Sequence, residues 1–325
     1  MDRDFLRRKL ALSSQNIFQS AADLKYLAPL LRHVAAVDPL PVIRGYSGFI
    51  ADGFCMAGKV ELGTEIMEAN ILKLIAVIQK NGSVQSLSLA DVFFAEKTSY
   101  TREEKLNGLD SILKVVSQVT DKPFLSFGTL LGFVRERDFI AHDMDIDIGL
   151  MAPEVSCPEL KNLLVAEGFK IVLYEGPTWP CRIYGKTPVG IPFDLVFFQP
   201  DGDKLLTYMR YLNHLLIRRR TLFKLEKVDF WGRSVWIPSP PEIFLDENYG
   251  NWHQPSGYHD CILTSKLTDF SMPIVRYAAR KQFFRLCTKV QMNKAKALLD
   301  LVMGIYPDDP FWEKVLASFP EKLIE

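Results

Sequence analysis

Two aspartates separated by one residue, Asp145 and Asp147, are the side chains in this sequence best spaced to do chemistry. They lie in the alternating run DMDIDIGL, which is typical of a β-strand whose successive side chains point to opposite faces. Residues two apart on a strand are separated by about 6.6 Å, so their carboxylates can converge on divalent cations about 3.5 to 4 Å apart. Asp143 would extend the same acidic face. The spacing predicts a metal clamp, and the alternative is the solvated face of an edge strand.

A third carboxylate, Asp194, is the only charged residue in the run IPFDLVFF, which is typical of a buried strand. A buried carboxylate is costly unless it is paired or binds a metal. Asp194 is therefore predicted to join the same site. The alternative is a purely structural pair with Arg182 or Lys186, which lie on the preceding strand-like segment.

A turn at Gly128 and Thr129 separates the short apolar stretch PFLSF from the helical segment TLLGFVRER. The first N–H groups of a helix and the positive end of its dipole can hold an anion. Gly128, Thr129 and Arg135, about two turns further on, are therefore candidate phosphate ligands. The alternatives are that the glycine serves only the turn and that Arg135 is a solvated charge at the helix end.

The elements that must position these residues are predicted from hydrophobic periodicity. The segment TREEKLNGLDSILKVVSQVT begins with a Thr101–Glu104 capping box, and its apolar face consists of Leu106, Leu109, Ile112, Leu113 and Val116. Strands are predicted at FKIVLYE, CRIYGK and PFDLVFF, with a helix from about Cys157 to Glu167 that Gly168 ends. This order of elements predicts a mixed α/β core.

The flanking regions are predicted to be mainly helical. LKYLAPLLRHVAAV and EIMEANILKLIAVIQK have helical spacing, whereas PLPVIRGYSGFIADGFCMAG between them favours turns and short strands. After Asp203 we expect a long, partly basic helix through LLIRRRTLFKL, a hairpin at VDFWGRSVWIP, a short helix from Pro240 to about Tyr249 and a helical tail from about Pro273. The predicted domains are an accessory region at 1–100, a catalytic core at 101–262 and a helical extension at 263–325.

The composition of the chain excludes several classes of protein. Lys plus Arg equals Asp plus Glu at 39 each among 325 residues, so no overall positive charge would recruit nucleic acid. No apolar run reaches the roughly 18 to 20 residues of a membrane helix, and the first residues do not have the pattern of a secretory signal. The five cysteines are scattered, without a CxxC pair. These features predict a cytoplasmic protein, with the inner face of the membrane as a candidate place of work.

The segment SFGTLLGFVRERDFIAHDMDIDIGL resembles the signature of the LicD/fukutin family, a branch of the nucleotidyltransferase superfamily. Further along, PSPPEIFLDENYGNWHQP resembles the family's proline-led helix and its Tyr-Gly-x-Trp ending. The resemblance covers roughly residues 101 to 260. It implies an α/β (α+β) fold, with a nucleotidyltransferase-like mixed β-sheet core flanked by helices and helical additions at both ends.

The resemblance also implies a function. Members transfer a phosphate-bearing group, such as glycerol phosphate, ribitol phosphate or phosphocholine, from a CDP-linked donor to a glycan or glycolipid hydroxyl in cell-surface polysaccharide synthesis, with Mg²⁺ or Mn²⁺. By motif position, catalysis and metal binding are assigned to Asp145, Asp147 and Asp194. Donor phosphate binding is assigned to Gly128, Thr129, Arg135 and Arg182. Weaker candidates are Asp143, His142, Lys186, Tyr249 and Trp252, and for His142 a neutral structural role is favoured over that of a base.

Two other functions fit the same motifs. One is transfer of a nucleotidyl group with release of pyrophosphate, and the other is a non-catalytic glycan-binding subunit, against which the three retained aspartates argue. The basic run Arg218–Arg220 with Lys224 could reach a diphosphate. On the predicted helix, however, at most two of the arginines would point inward, and a solvated face is favoured.

Overall fold

The computed structural model describes residues 47–81, 99–254, 258–289 and 291–320. The described residues form two compact units, one of residues 47–81, 210–215 and 269–320, and the other of residues 99–209 and 216–268. The helix predicted at LKYLAPLLRHVAAV lies outside the described residues. None of the described helices combines the length and the apolar character that crossing a bilayer requires.

Apart from residues 210–215, which lie in a β-hairpin, the first unit is built from helices. They are α1 (Ser47–Met56), α2 (Val60–Asn81), α7 (Pro273–Thr288), α8 (Met292–Ile305) and α9 (Pro310–Ala317). Helix α2 packs against both α1 and α7. The buried guanidinium of Arg280 ties α7 to its neighbours, donating to Glu68 Oε1 at 2.5 Å and to Asp309 Oδ2 at 2.8 Å. The predicted helices at EIMEANILKLIAVIQK and in the tail are confirmed.

Helix α1 corrects the prediction of turns and short strands for residues 47–56 of PLPVIRGYSGFIADGFCMAG, and residues 39–46 of that segment lie outside the described residues. Its residues Ala51, Phe54 and Cys55 are buried at helical spacing. The prediction weighted the glycines and prolines of the segment, and in α1 this apolar face outweighs the low helix propensity of Gly48 and Gly53.

The second unit contains a nine-stranded mixed sheet with strand order β3-β4-β5-β2-β1-β9-β8, and β6 pairs with both β5 and β7. Strands β2 and β5 are parallel, as are β1 and β9. The strands are β1 (Phe124–Leu125), β2 (Ile146–Met151), β3 (Lys170–Glu175), β4 (Arg182–Lys186), β5 (Pro192–Asp201), β6 (Lys204–Tyr211), β7 (His214–Thr221), β8 (Lys224–Phe230) and β9 (Arg233–Ser239). The predicted mixed α/β core with flanking helices is confirmed.

Four helices accompany this sheet: α3 (Arg102–Val116), α4 (Phe127–Glu136), α5 (Cys157–Ala166) and α6 (Pro241–Tyr249). Helix α3 begins with the predicted capping box between Thr101 and Glu104. Its residues Leu109, Ile112 and Val116 are buried in the core. The apolar face predicted from the sequence is therefore the face that packs.

Two segments near the predicted site have a different structure from the one predicted. Strand β2 begins at Ile146, so only Asp147 of the acidic run is a strand residue, and the preceding segment turns where the Asp143 N–H donates to Ile140 O. The helix predicted through LLIRRRTLFKL is wrong, because residues 214–221 form β7. In β7, Leu216, Arg218 and Arg220 are buried while their neighbours are exposed, which is the period of a strand.

Candidate metal and phosphate site

Three carboxylates converge where the chain enters β2. Asp143, Asp145 and Asp147 each offer one oxygen, and these atoms lie within 4.8 Å of one another. Burial raises the pKa of all three carboxyl groups. Repulsion from Asp143 raises the pKa of Asp145 further, to about 6. The charges of Asp145, Asp143 and Asp194 also raise the pKa of Asp147. Clustered carboxylate oxygens are the ligands that Mg²⁺ and Mn²⁺ prefer, so these residues fit the divalent cation that the sequence predicts.

The turn at the start of α4 holds Asp147 in place. The Gly128 N–H donates to Asp147 Oδ2 at 2.9 Å, and the Asp147 N–H donates to Thr129 Oγ1 at 2.9 Å. A Cβ added to Gly128 would lie 2.4 Å from Asp143 Oδ2 and 3.2 Å from Asp147 Oδ2. Only glycine therefore fits here without displacing the carboxylates. That Gly128 and Thr129 bind donor phosphate stays a prediction, since their described contacts are to Asp147.

A buried lysine that the sequence analysis did not select supports the same segment. Lys105 is 2% exposed, and its Nζ donates to Ile140 O at 3.0 Å and to Asp143 O at 2.6 Å. Burial lowers the pKa of Lys105, and the charges of Asp143 and Asp145 oppose this shift. Lys105 precedes Leu109 by four residues and so lies on the apolar face of α3. A charged residue on that face is the sequence feature that could have identified Lys105 as a buried, functional side chain. It anchors the backbone that carries Asp143.

Replacing Lys105 with Met is expected to lower the free energy of unfolding by about 1 to 3 kcal/mol, because Asp143 O loses the donor described for it and Ile140 O keeps only the Asp143 N–H. It should also weaken Mn²⁺ binding, since the Asp143 backbone loses its anchor. Urea unfolding and calorimetric titration with Mn²⁺ measure the two effects.

The matched control for Lys105→Met is Lys114→Met on the same helix. Its side chain is 70% exposed and pairs with Glu167, so a change below about 1 kcal/mol is expected. Equal unfolding midpoints for Lys105→Met and Lys114→Met would contradict the proposal that Lys105 anchors the Asp143 backbone.

Asp194 lies beside Asp147, because the two residues are register partners on the parallel strands β5 and β2. Its carboxylate binds Arg182 of β4: Nε donates to Oδ1 at 2.9 Å, and Nη2 donates to Oδ2. Asp194 is 5% exposed. Both carboxylate oxygens of Asp194 thus accept hydrogen bonds from the Arg182 guanidinium. This is the structural pair with Arg182 that the sequence analysis gave as the alternative to metal binding. Asp194 as the third metal ligand stays a prediction, and the described geometry favours Asp143 for that place.

One cavity of about 490 Å³ brings most of the predicted residues together. The predicted residues in its wall are Gly128, Arg135, His142, Asp143, Asp145, Asp147, Arg182, Asp194, Tyr249 and Trp252. Thr129 and Lys186 are not in the wall. Thr129 is buried behind Asp147, and Lys186 is the β4 residue opposite Pro192. The volume lies within the range of small-molecule sites.

The predicted residues on the α4 and α6 side of the cavity are fixed by contacts with one another. Arg135 Nη1 donates to Trp252 O at 3.3 Å, and Arg135 Nη2 pairs with Glu136 at 2.7 Å. Trp252 Nε1 donates to Asp246 Oδ1 at 2.8 Å. Burial raises the pKa of Tyr249, and the charges of Asp147 and Asp143 raise it further. Tyr249 is therefore a neutral hydroxyl in the cavity wall that also contains Asp143 and Asp147.

Comparison with known proteins supports the family resemblance. Residues 122–240 match the model of the LicD/FKTN/FKRP nucleotidyltransferase domain. An uncharacterized protein of Caenorhabditis elegans is 27% identical over 157 residues, which cover 44% of this chain but only 41% of the worm protein. An uncharacterized protein of Rickettsia typhi is 26% identical over 254 residues, which cover 73% of this chain and 77% of that protein.

Among solved structures, the lincomycin-bound crystal structure of the lincosamide antibiotic adenylyltransferase LnuA matches at 16% identity with a TM-score of 0.32. The match covers 45% of this chain and 86% of LnuA. The family match extends from just before β1 to the end of β9, and so includes the three clustered aspartates and the Arg182–Asp194 pair. Over residues 122–240 the chain is therefore similar to the nucleotidyltransferase domain of the LicD/FKTN/FKRP family.

Proposed function

We propose that this chain is a metal-dependent transferase that moves a phosphate-bearing group from a CDP-linked donor to a hydroxyl of a glycan or glycolipid. The group would be a polyol phosphate, such as glycerol or ribitol phosphate, or phosphocholine. The observation that carries the proposal is the convergence of Asp143, Asp145 and Asp147 in a cavity that also contains Arg182, within a LicD/FKTN/FKRP domain. The work would be done in the cytoplasm, at or near the inner face of the membrane.

Asp143, Asp145 and Asp147 would hold Mg²⁺ or Mn²⁺. A bound cation of this kind neutralises charge on phosphate oxygens and so favours phosphoryl transfer. Gly128 and Thr129 keep Asp147 in position, and Lys105 does the same for the Asp143 backbone. The site is thus organised before substrate arrives, as catalysis by positioning and charge neutralisation requires.

Arg182 would bind a phosphate oxygen of the donor. Its Nε and Nη2 are held by Asp194, and its Nη1 makes no hydrogen bond within the described parts of the chain. Its side chain is 27% exposed and lines the cavity. A guanidinium fixed along one edge can present its remaining donor with little loss of entropy. In this proposal Asp194 orients Arg182, so the carboxylates left to bind the cation are the three at the start of β2.

The transfer would form a bond from the acceptor oxygen to the donor's β-phosphorus and break the bond from that phosphorus to the oxygen of CMP. CMP leaves with the bonding electron pair, and the hydroxyl proton passes to a carboxylate of the site. Asp194 is poorly placed to take that proton, because both of its carboxylate oxygens already accept hydrogen bonds from Arg182.

The decisive test is incubation of the protein with Mn²⁺ and a labelled donor, using CDP-glycerol, CDP-ribitol and CDP-choline in separate reactions and labelled CTP in another. Release of CMP from a CDP donor, dependent on Asp145, is the expected result. Release of pyrophosphate from CTP without CMP release from any CDP donor would instead indicate nucleotidyl transfer. Absence of all four reactions, with glycan binding retained, would indicate a binding subunit.

Mn²⁺ affinity is expected to rise with pH between about 5 and 7 and then to level off. A carboxylate must lose its proton to bind a metal. The pKa of Asp145 is raised to about 6, so protons compete with the cation below that pH and not above it. Calorimetric titration at pH 5, 6, 7 and 8, in two buffers that differ in protonation enthalpy, measures both the affinity and the protons released. Affinity that stays constant from pH 5 to 8 would contradict the assignment of Asp145 as a ligand.

A further inference from the structure

The buried face of β7 carries two arginines, Arg218 and Arg220, while Arg219 between them points outward and pairs with Asp201. Arg220 is fully buried and lies over the rings of Phe127, Phe198 and Phe244, at 5.4, 5.3 and 4.4 Å from their centroids. It is a core residue and does not line the cavity. Arg218 differs, because it lies in the cavity wall.

The charge of Arg218 has no anionic partner among the described residues. Arg218 is 6% exposed, its Nη2 donates to the backbone oxygen of Cys261, and its Nε is buried without an acceptor in the described parts of the chain. The charge of Asp260 acts on Arg218, but the two side chains form no ion pair. Instead, Asp260 Oδ1 accepts hydrogen bonds from the N–H groups of Ile262 and Leu263. Burying an unpaired cation is expensive. A ligand that brings an anion into the cavity would remove that cost.

The cavity combines groups that attract different parts of one ligand. The three aspartates suit a cation, whereas Arg182 and Arg218 suit an anion. Arg182 is already balanced by Asp194. Arg135 likewise pairs with Glu136. Arg218 is therefore the arginine of the cavity wall that has no ion pair among the described residues, and phosphate oxygens match the donor geometry of a guanidinium.

We propose that Arg218 is a substrate-binding residue that pairs with a phosphate group of the substrate in this cavity. The inference rests on the proposed function for the identity of that substrate, whose diphosphate is the expected partner. A phosphorylated acceptor would supply the same chemistry. The role is binding, so Arg218 sets which ligands enter the cavity and how tightly they are held.

Calorimetric titration in the presence of Mn²⁺ tests this with three ligands: CDP, pyrophosphate and glucose 6-phosphate. The variants are Arg218→Met, Arg218→Lys and the matched control Arg219→Met, which removes the exposed neighbour on the same strand. A charge-assisted hydrogen bond is worth about 1.5 to 3 kcal/mol, so Arg218→Met should weaken CDP binding by about tenfold or more. Arg218→Lys should recover part of that loss, and Arg219→Met should bind CDP as the wild type does.

Thermal unfolding of the ligand-free variants separates binding from folding. Removal of an unpaired buried charge should leave the melting temperature of Arg218→Met unchanged or raised. A lowered melting temperature with unchanged affinity for all three ligands would show that Arg218 is structural and would overturn the inference. Arg218→Lys provides the same comparison if the Met variant fails to fold.

The three ligands distinguish this inference from the proposed function. Arg218-dependent binding of CDP supports both, and Arg218-dependent binding of glucose 6-phosphate alone places the phosphate on the acceptor. A wild type that binds pyrophosphate through Arg218 but not CDP would contradict the CDP donor while supporting the role of Arg218. Binding of CDP, pyrophosphate and glucose 6-phosphate that is equally strong in wild type and Arg218→Met would overturn the role of Arg218 and leave the proposed function standing.

Discussion

Replacing Asp147 with Asn is expected to abolish measurable Mn²⁺ binding and, at the same time, to stabilise the metal-free protein. Asp147 is the member of the cluster that lies on β2, where burial raises its pKa and the charges of Asp145, Asp143 and Asp194 raise it further. Ionisation of Asp147 at neutral pH therefore destabilises the folded protein. An Asn of the same shape can still accept the Gly128 N–H, so the turn is retained while the repulsion is removed.

The two effects have separate measurements. Loss of an outer-shell partner already costs about 10 to 100-fold in metal affinity, so loss of a ligand should cost at least about 100-fold in a titration with Mn²⁺ and CDP. Urea unfolding in EDTA should give a higher midpoint for Asp147→Asn than for the wild type at pH 7. Asp203→Asn is the control, because that side chain is 90% exposed, and it should change neither quantity.

The stability difference should also depend on pH, with a sign that follows from the raised pKa. The unfolded chain releases the Asp147 proton near pH 4, whereas the folded protein retains it to higher pH. The contribution of Asp147 to stability therefore falls as pH rises above about 4, and the advantage of Asp147→Asn grows over the same range and vanishes in acid. A variant that lost stability at pH 7 and kept its affinity for Mn²⁺ would contradict the assignment of Asp147.

The central part of the site was predictable because its signals are local. Asp145 and Asp147 stand two apart, Gly128 stands between a strand and a helix, and Asp194 is a single charge in an apolar run. The place of Asp194 relative to them was not predictable in detail. The sequence does not show that β2 begins only at Ile146 or that Arg182 reaches across from β4, and these two facts favour Asp143 over Asp194 beside the cation.

The missed residues have a common physical cause: each is a cation buried by tertiary contacts. Lys105 occupies the apolar face of α3, where its amine reaches two carbonyl oxygens 35 and 38 residues further along the chain. Arg218 lies in a run of arginines with good helix propensity, and the two-residue period that identifies β7 is visible only when Leu216, Arg218 and Arg220 are considered together. Contacts with residues far along the chain determine that Lys105 and Arg218 are buried, and such contacts cannot be inferred from a single sequence.

Replacing Gly128 with Ala is expected to disable the site through a single methyl group. A Cβ at this position would lie 2.4 Å from Asp143 Oδ2, which is too close for two nonbonded atoms, so the carboxylate must move. A displacement of about 1 Å can cost about 100-fold in catalysis, and a loss of that order is expected in transfer activity, together with weaker Mn²⁺ binding. Overpacking should also lower the free energy of unfolding by about 1 to 3 kcal/mol.

Gly304→Ala is the matched control, because a Cβ at Gly304 meets nothing within 4 Å and the residue lies in α8. That variant should bind Mn²⁺ normally and gain up to about 1 kcal/mol of stability. The double variant Gly128→Ala with Asp143→Ser separates crowding from ligand loss. Relief of the clash should restore the unfolding midpoint, whereas Mn²⁺ affinity should stay low because one carboxylate is missing. Recovery of both would mean that Asp143 crowds the site without binding the cation, and Asp194 would then be the better third ligand.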